Sequence, residues 1–377
     1  MSSTGLKSVR VGVIGTSPFT DRFHLQSLSN HKGAQITAIC GRNRTRAQEV
    51  AAKYRISHIF TDWRELVRSP EIDAVVVVTP NNLHHPQTMA ALEQGKHVFC
   101  EKPLAMDLRE AREMYEAAQR AGLVHMTNFT FRGVPAFAHM KELIDQGYVG
   151  NVYHIAVSFI GFFNRGDVMA WRRDRPQAGY GALGDLGSHA VDMARWMCGE
   201  IARVSGHLAT VTPQLKLPDG ALVPNETDDT CALLLGFRSG AEGVIHASWT
   251  GHSGLAGMLM RVEVHGANGM LVADTNRLAN PRSWITLVGA QGDQVQAEPL
   301  LMPRQYTEGL DVTSEDALVR TITLKPWYAA QRFVEALLGR REPSPSFFDG
   351  VRVQEVLDGA YSSHRQGRWV EISPAAP

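Results

Sequence analysis

Apolar positions in the first 130 residues alternate between two periods. Val9 to Ile14, Gln35 to Cys40, His97 to Cys100 and Val124 to Thr127 read as strands, with a shorter one near Ile59. Asp73 to Val78 is a β-branched run bounded by Pro70 and Pro80, the pattern of a strand buried on both faces of a parallel sheet. Between them, Asp21 to Ser29, Thr45 to Tyr54, Pro86 to Gln94 and Leu108 to Arg120 carry the helical period, the last two stopped by Gly95 and Gly122. Strands alternating with helices over short connections require crossover units, hence a doubly wound parallel sheet.

Past residue 131 the rhythm changes. A helix from Pro135 to Gln146 precedes a period-2 strand, Val152 to Phe159, and then an Arg- and Gly-rich irregular loop from Gly161 to Gly184. Asp185 to Met197 is helical. Strands follow at Ala202 to Val211, Thr230 to Phe237, Ala241 to Trp249, Met260 to Gly266 and Met270 to Asp274. Turns at Arg238-Ser239-Gly240 and Ala267-Asn268-Gly269 join two of these pairs as hairpins. Residues 327 to 366 return to helix, and Arg368 to Ile372 closes with a strand before a frayed tail from Ser373. The fold class is therefore α/β: an N-terminal doubly wound parallel sheet over 1–131, then an α+β domain with a mostly antiparallel sheet over 132–377.

A chain of 377 residues exceeds one ordinary core, which agrees with two domains. Lys and Arg number 38 against 38 Asp and Glu, so no positive excess points to nucleic acid or a membrane surface. The longest apolar stretches fall well short of the roughly 18 residues of a membrane helix, and none resembles a signal segment. Cys40, Cys100, Cys198 and Cys231 form no CxxC pair, so they suggest neither a disulfide framework nor a zinc site, and metal is not expected. A reducing, cytoplasmic setting follows.

Candidate chemistry collects where strands end. Gly15, Thr16, Ser17, Pro18 and Phe19 lie at the first strand-to-helix turn, where small residues let backbone N–H groups approach a pyrophosphate. Read as GxGxxG, the turn supplies Gly15, Ser17 and Thr20, one glycine of three. A plain strand–turn–helix is nearly as good a reading of the turn alone; its place in a six-strand pattern favours the nucleotide. The second strand ends in Cys40-Gly41-Arg42-Asn43-Arg44, without the acid that would hold a ribose 2′-hydroxyl. Arg42 is shaped to pair with a 2′-phosphate, although it and Arg44 also read as solvated charges. NADP is therefore preferred, with NAD possible.

Thr79, Pro80, Asn81 and His84 follow the fourth strand, and Glu101, Lys102 and Pro103 follow the fifth at the same sheet edge. On the tripeptide alone, a surface ion pair is an equal reading. Asn128 and Arg132 lie beyond the sixth strand. In Gly184-Asp185-Leu186-Gly187-Ser188-His189, Asp185 opens a helix in the manner of an N-cap, with His189 four residues on over the same face. A first-turn histidine tends to stay neutral beside the positive helix end, as a general base requires. Without context, a capping Asp and a satisfied core histidine is the plainer reading.

Together GVIGTS, TPNNLHHP, CEKPLA, WRRD and GALGDLGSHAVD, in this order, resemble the Gfo/Idh/MocA family of nicotinamide-dependent oxidoreductases, with echoes at Val264 to Gly269 and Phe348 to Gly350. The resemblance implies an NADP(H)- or NAD(H)-dependent dehydrogenase of a sugar- or polyol-like secondary alcohol. Lys102, Asp185 and His189 match the family's catalytic positions. Gly15 to Phe19, Arg42, Thr79, Pro80, Asn81, His84, Glu101, Lys102, Asn128, Trp171 and Arg172 are then placed toward the cofactor. Lys102, Arg132, Arg172, Asp185 and His189 are placed toward the substrate. It also implies that the first domain is a Rossmann fold, that the second carries an open sheet, and that the chain forms a homo-dimer or homo-tetramer. Two alternatives stay open: a non-catalytic NADP-binding regulator, and a same-fold reductase of a dihydrodiol, imine or tetrapyrrole. The presence of both Lys102 and His189 favours an enzyme over a regulator.

Overall fold

Six strands pair in parallel in the order β3-β2-β1-β4-β5-β6: β1 (Val9–Ile14), β2 (Ala34–Cys40), β3 (His58–Phe60), β4 (Ala74–Val77), β5 (His97–Cys100) and β6 (His125–Thr127). The computed structural model describes residues 8–161, 166–251, 259–276 and 278–374. The β-branched run behaves as its pattern requires, because Val75, Val76 and Val77 are all fully buried. Helices α1 (Gln26–Ser29), α2 (Arg44–Tyr54), α3 (Trp63–Arg68), α4 (His84–Glu93) and α5 (Leu108–Ala121) make the crossovers. Strand order reverses between β1 and β4, which marks the ligand crevice of an open α/β sheet.

Local departures have local causes. The helix expected at Asp21 to Ser29 is a π-helical turn, Thr20–Leu25, running into α1. The widened turn buries Thr20, His24 and Leu25 together. Helix α3 went unpredicted; its side-chain cap comes from Asp62, which accepts from the Arg64 N–H. The long helical stretch at 327–366 is two helices, Ala329–Leu337 and Phe347–Gln366, broken by a segment containing Pro343 and Pro345.

The second sheet has nine strands among the described residues, in the order β16-β15-β14-β13-β7-β12-β11-β8-β17. In chain order these are β7 (Val152–Ile160), β8 (Ile201–Ala209), β11 (Thr230–Phe237), β12 (Glu242–Ser248), β13 (Leu259–Gly266), β14 (Gly269–Thr275), β15 (Val288–Gln291), β16 (Glu298–Pro299) and β17 (Val370–Glu371), while β9 (Gln214–Lys216) and β10 (Leu222–Pro224) form a separate hairpin. The pairing is antiparallel except between β7 and β12. Both predicted hairpins form, β11–β12 and β13–β14. Alternation is plain on β11, where Cys231, Leu233, Leu235 and Phe237 are buried and Leu234 is exposed. Helices α6 (Pro135–Asp145) and α8 (Ser188–Cys198) belong to this unit, α8 burying Ala190, Val191, Met193 and Ala194. The loop expected to be irregular from Gly161 to Gly184 contains a 3₁₀ turn at Trp171–Arg173 and α7 (Arg175–Ala178). Residues 162–165 of that loop, and 375–377 of the tail, lie outside the described residues.

The compact units are Met1–Thr130 with Val319–Val351, and Phe131–Leu318 with Arg352–Pro377. A single second segment over 132–377 was expected, but Val319–Val351 groups with the parallel sheet. Phe333 stacks on Phe99 of β5 at 5.3 Å, and Gln331 donates to the Ser27 carbonyl at 2.6 Å. Both rings are buried. Phe333→Ala should therefore destabilise the first unit by roughly 3–5 kcal/mol, the usual cost of emptying a buried aromatic site, read from a denaturant midpoint. A loss under about 1 kcal/mol would show that Ala329–Leu337 contributes little to this core.

Candidate active site

The first turn is built around one glycine. Gly15 has φ +126°, and a Cβ there would lie 2.2 Å from the Val78 carbonyl oxygen. Its N–H donates to the Cys40 carbonyl at 2.9 Å, so the turn is pinned across three strand ends. Ser17 and Thr20, at the other fingerprint positions, serve each other. Ser17 Oγ accepts from the Thr20 N–H at 3.1 Å and lies 2.9 Å from Thr20 Oγ1. Helical backbone starts at Pro18, with Ser17, Pro18 and Phe19 exposed and Gly15 and Thr16 half-buried. A cradle that a Cβ would fill, opening onto a helix start, fits the pyrophosphate of a dinucleotide. At the β2 tip Arg42 and Arg44 are exposed, Asn43 caps α2 by accepting from the Arg46 N–H at 3.0 Å, and Arg46 donates to the Thr16 carbonyl at 3.3 Å.

The ends of β4, β5 and β6 hold a buried polar frame. Thr79 Oγ1 donates to Gln87 at 2.9 Å, and Pro80 leads into a 3₁₀ turn, Asn81–Leu83, in which Asn81 is buried. His84 is fully buried, its ring nitrogens 2.9 Å from the Pro103 carbonyl and 3.0 Å from the Thr79 carbonyl. It was expected to face the cofactor; instead it ties the loop after β4 to the residue following Lys102. Glu101 was placed there too, yet its carboxylate is buried, Oε1 accepting from Asn128 Nδ2 and lying against His24 Nε2, both at 2.6 Å. Asn128 is likewise turned inward. Burial pushes the Glu101 carboxyl up, but the bond and charge of His24, the Asn128 amide and the Lys102 charge together hold it below the usual range. Lys102 is half-buried at the C-terminal edge of the sheet, and the Lys102–Pro103 peptide is cis.

The second unit carries the remaining candidates. Arg132 was expected to face the substrate, but it is buried and grips both oxygens of Asp192, at 2.9 and 2.5 Å, over the face of Trp196. Its fork is matched to an internal carboxylate. Arg172 lies over the Trp171 ring at 4.3 Å, and its Nε is 3.4 Å from Asp185 Oδ1. The other Asp185 oxygen accepts from Trp249 Nε1 at 3.1 Å. Trp249 is itself fully buried, under Arg173, which pairs with buried Asp229 at 2.9 Å. His189 is buried between Phe131, edge-on at 4.8 Å, and Phe159, tilted at 6.0 Å.

Asp185 does not cap its helix. Helical backbone begins at Ala182 and passes through a π-turn, Leu183–Gly187, so Asp185 is already inside and His189 lies about two turns from the end. A dipole effect confined to the first turn does not reach it. The cap comes from Asp228, whose carboxylate accepts from the Gly181 N–H at 2.8 Å and the Leu183 N–H at 2.7 Å. A Cβ on Gly181 would sit 1.9 Å from the Asp228 carbonyl oxygen, which fixes glycine there.

Residues 9–129 match the oxidoreductase family with an NAD-binding Rossmann fold, and residues 137–272 match the GFO/IDH/MocA C-terminal domain. The chain belongs to the GFO/IDH/MocA oxidoreductase family. Levoglucosan dehydrogenase of Pseudarthrobacter phenanthrenivorans is 29% identical over 86% of each chain. The NADP(+)-named scyllo-inositol 2-dehydrogenase of Bacillus subtilis is 30% identical over 71% of this chain and 76% of its own. The solved structure of levoglucosan dehydrogenase in complex with NADH and levoglucosan superposes with a TM-score of 0.86 at 28% identity, covering 97% of this chain and all of that one. Motif reading did not reach three buried residues that hold the candidates within each unit: His24 beside Glu101 in the first, and Asp228 and Trp249 beside Leu183 and Asp185 in the second. Each lies outside the motif it supports and has no spacing signal of its own.

Asp228 titrates in an accessible range. Burial pushes its carboxyl up to about 6 from 3.8, helped by the Asp229 charge, with the Leu183 and Gly181 N–H bonds opposing. The folded protein therefore holds a proton that the unfolded chain releases, so this contribution to stability is complete below about pH 4 and is lost as pH rises through about 6. Relative to Asp228→Asn, wild-type stability should decline by up to about 3 kcal/mol over that window and then level off, measured by denaturation at successive pH values. Parallel profiles for the two proteins would refute the assignment.

Proposed function

We propose that this oxidoreductase transfers a hydride reversibly between NADP(H) and a secondary alcohol or ketone carbon of a sugar- or polyol-like substrate. The observation that carries the reading is Lys102 at the C-terminal edge of the same parallel sheet that carries the Gly15 cradle. The relatives named for levoglucosan and scyllo-inositol support the substrate class. When bound, the nicotinamide supplies the hydride acceptor or donor at its C4. Gly15 to Phe19 hold the pyrophosphate by backbone N–H groups, and Arg42 pairs with the 2′-phosphate.

Lys102 donates to the substrate oxygen as negative charge grows on it, the role of an oxyanion stabiliser. His189 accepts the hydroxyl proton in the oxidation direction. Asp185, fixed between Trp249 and Arg172, holds Arg172 toward substrate hydroxyls. His84, Glu101, Asn128 and Arg132 support these groups from inside rather than touching ligand. Leu234 and Val244 are direct cross-strand neighbours, each about half exposed at 50% and 49%, and this apolar pair supports a homo-oligomer through the open sheet face. Among the described residues no helix is long and apolar enough to cross a membrane.

Polyols and sugars screened with NADP⁺ and NAD⁺, following absorbance of the reduced cofactor, identify the substrate. Turnover with none of them, despite tight cofactor binding, would favour the regulator. Lys102→Ala should leave cofactor binding nearly intact and lower turnover by about two to three powers of ten, and His189→Ala by about a hundredfold. Unchanged turnover would remove the residue concerned from the mechanism. Arg42→Ala should weaken NADP by roughly 10- to 100-fold and leave NAD almost unchanged. Equal weakening of both, or tighter NAD binding by wild type, would reverse the cofactor assignment; the NADH held by the related levoglucosan dehydrogenase makes that reversal the second reading.

A further inference from the structure

Glu101 is joined to its surroundings by three donors that come from different parts of the first unit. Asn128 Nδ2 reaches Oε1 from the end of β6, and the Lys102 N–H reaches Oε2 at 3.3 Å. The third is His24 Nε2, at 2.6 Å from Oε1, from the π-turn that follows directly on the Gly15–Phe19 loop. An ionised carboxylate only accepts, so the Nε2 proton belongs to His24. The ring has little freedom to leave: it is 3% exposed and packs edge-on against Phe99 of β5 and Phe19 of the loop, with centroids 5.6 and 5.7 Å away.

Glu101 is fixed on its other side as well. Its N–H donates to the Val77 carbonyl at 3.0 Å, and the Asn128 N–H donates to the Cys100 carbonyl at 2.8 Å. Beyond Lys102, His84 meets the Pro103 carbonyl. The residues before and after Lys102 are thus each tied by a buried histidine, and only His24 belongs to the nucleotide loop's own helical turn.

We propose that His24 is a positioning residue for Lys102, acting through Glu101 to make the placement of the lysine depend on the nucleotide loop. The chain of contacts is short and entirely within one unit: loop, π-turn, His24, Glu101, Lys102. The buried, charge-assisted His24–Glu101 bond transmits a shift of the turn to the strand end, where Glu101 is joined to Lys102 by the backbone and by the Lys102 N–H. The inference rests on the reading of Lys102 as catalytic.

His24→Gln and His24→Asn form the test pair. The Gln amide extends to the position of Nε2 and retains the donor; the Asn amide falls a bond short. A third variant, His24→Leu, removes polarity altogether, and if it does not fold the Gln/Asn pair still decides. Two readouts are taken. In the first, turnover of the best substrate from the screen should fall about 10- to 100-fold in His24→Asn, stay within about threefold of wild type in His24→Gln, and be accompanied by a cofactor Kd within about threefold in both. In the Glu101→Gln background the Asn substitution should cost little more, because the shared path is already cut.

The second readout needs no substrate. Trace acetylation by acetic anhydride, read by mass spectrometry, should show the Lys102 rate altered about threefold or more in His24→Asn and restored in His24→Gln. Exposed Lys32, in the turn before β2, serves as the internal standard. 2′-Phospho-ADP-ribose, which carries the pyrophosphate without the nicotinamide, should change the Lys102 rate in wild type and not in His24→Asn. An unaltered Lys102 rate in a folded His24→Asn protein overturns the proposal, whatever turnover does. So does an altered rate with full turnover, or an equal loss in Gln and Asn. Lys102→Ala, run in the same turnover assay, separates the two levels: full activity there removes the catalytic reading itself, whereas a crippled Lys102→Ala beside a normal His24→Asn removes only this inference.

Discussion

The backbone of Gly15 passes so close to the carbonyl of Val78 that no side chain fits between them, and the first unit is organised by that approach. It brings the ends of β1 and β4 together where the strand order reverses. Because every strand of a parallel sheet ends on the same side, the loops after β4, β5 and β6 then share one edge with the nucleotide turn. The other two fingerprint positions are freed from being glycine. Ser17 and Thr20 bond to each other and close the helix start with their own hydroxyls.

Buried ionic groups recur in both units, and each fixes an orientation. Glu101 beside His24 and Asn128, Arg132 with Asp192, and Arg173 with Asp229 are all almost wholly out of water. Desolvation offsets much of the attraction in such pairs, so their value lies less in net stability than in geometry. Arg132 crosses to α8, which carries His189. Arg173 stacks over Trp249, which in turn holds Asp185. Within each unit, half-exposed charged candidates such as Lys102 and Arg172 thus neighbour buried charged groups.

The hydrophobic pattern made the architecture legible because both sheets depend on long-range burial that strong periods report. The run from Asp73 to Val78, the alternation of Thr230 to Phe237 and the two glycine turns were readable from residues alone. Short elements were not: Trp63–Arg68, Gln214–Lys216, Leu222–Pro224, Glu315–Ile322 and Glu298–Pro299 span two to eight residues, too few for a period to stand out. Motifs singled out Lys102, Asp185 and His189 as candidates but not which way their neighbours face. His84, Glu101, Asn128 and Arg132 sit beside ligand-side residues in sequence and turn inward in the fold. Asp185 looked like a cap because glycines precede it, whereas the cap is supplied from the loop before β11, more than forty residues later, by Asp228. Side-chain direction was the missing quantity, and it is set by partners that local sequence does not name.

The pairing of Phe99 with Phe333 carries a consequence for how the chain is made. Synthesis runs from the N-terminus, so β5 leaves the ribosome long before Ala329–Leu337 exists to cover it. For the whole of that interval a large aromatic surface on an otherwise complete parallel sheet faces water. The first unit, although the first begun, is therefore completed only after most of the second has been made. A nascent chain of this kind stays adhesive until Phe333 has emerged, and chaperones that hold apolar surface have their longest opportunity on it before then.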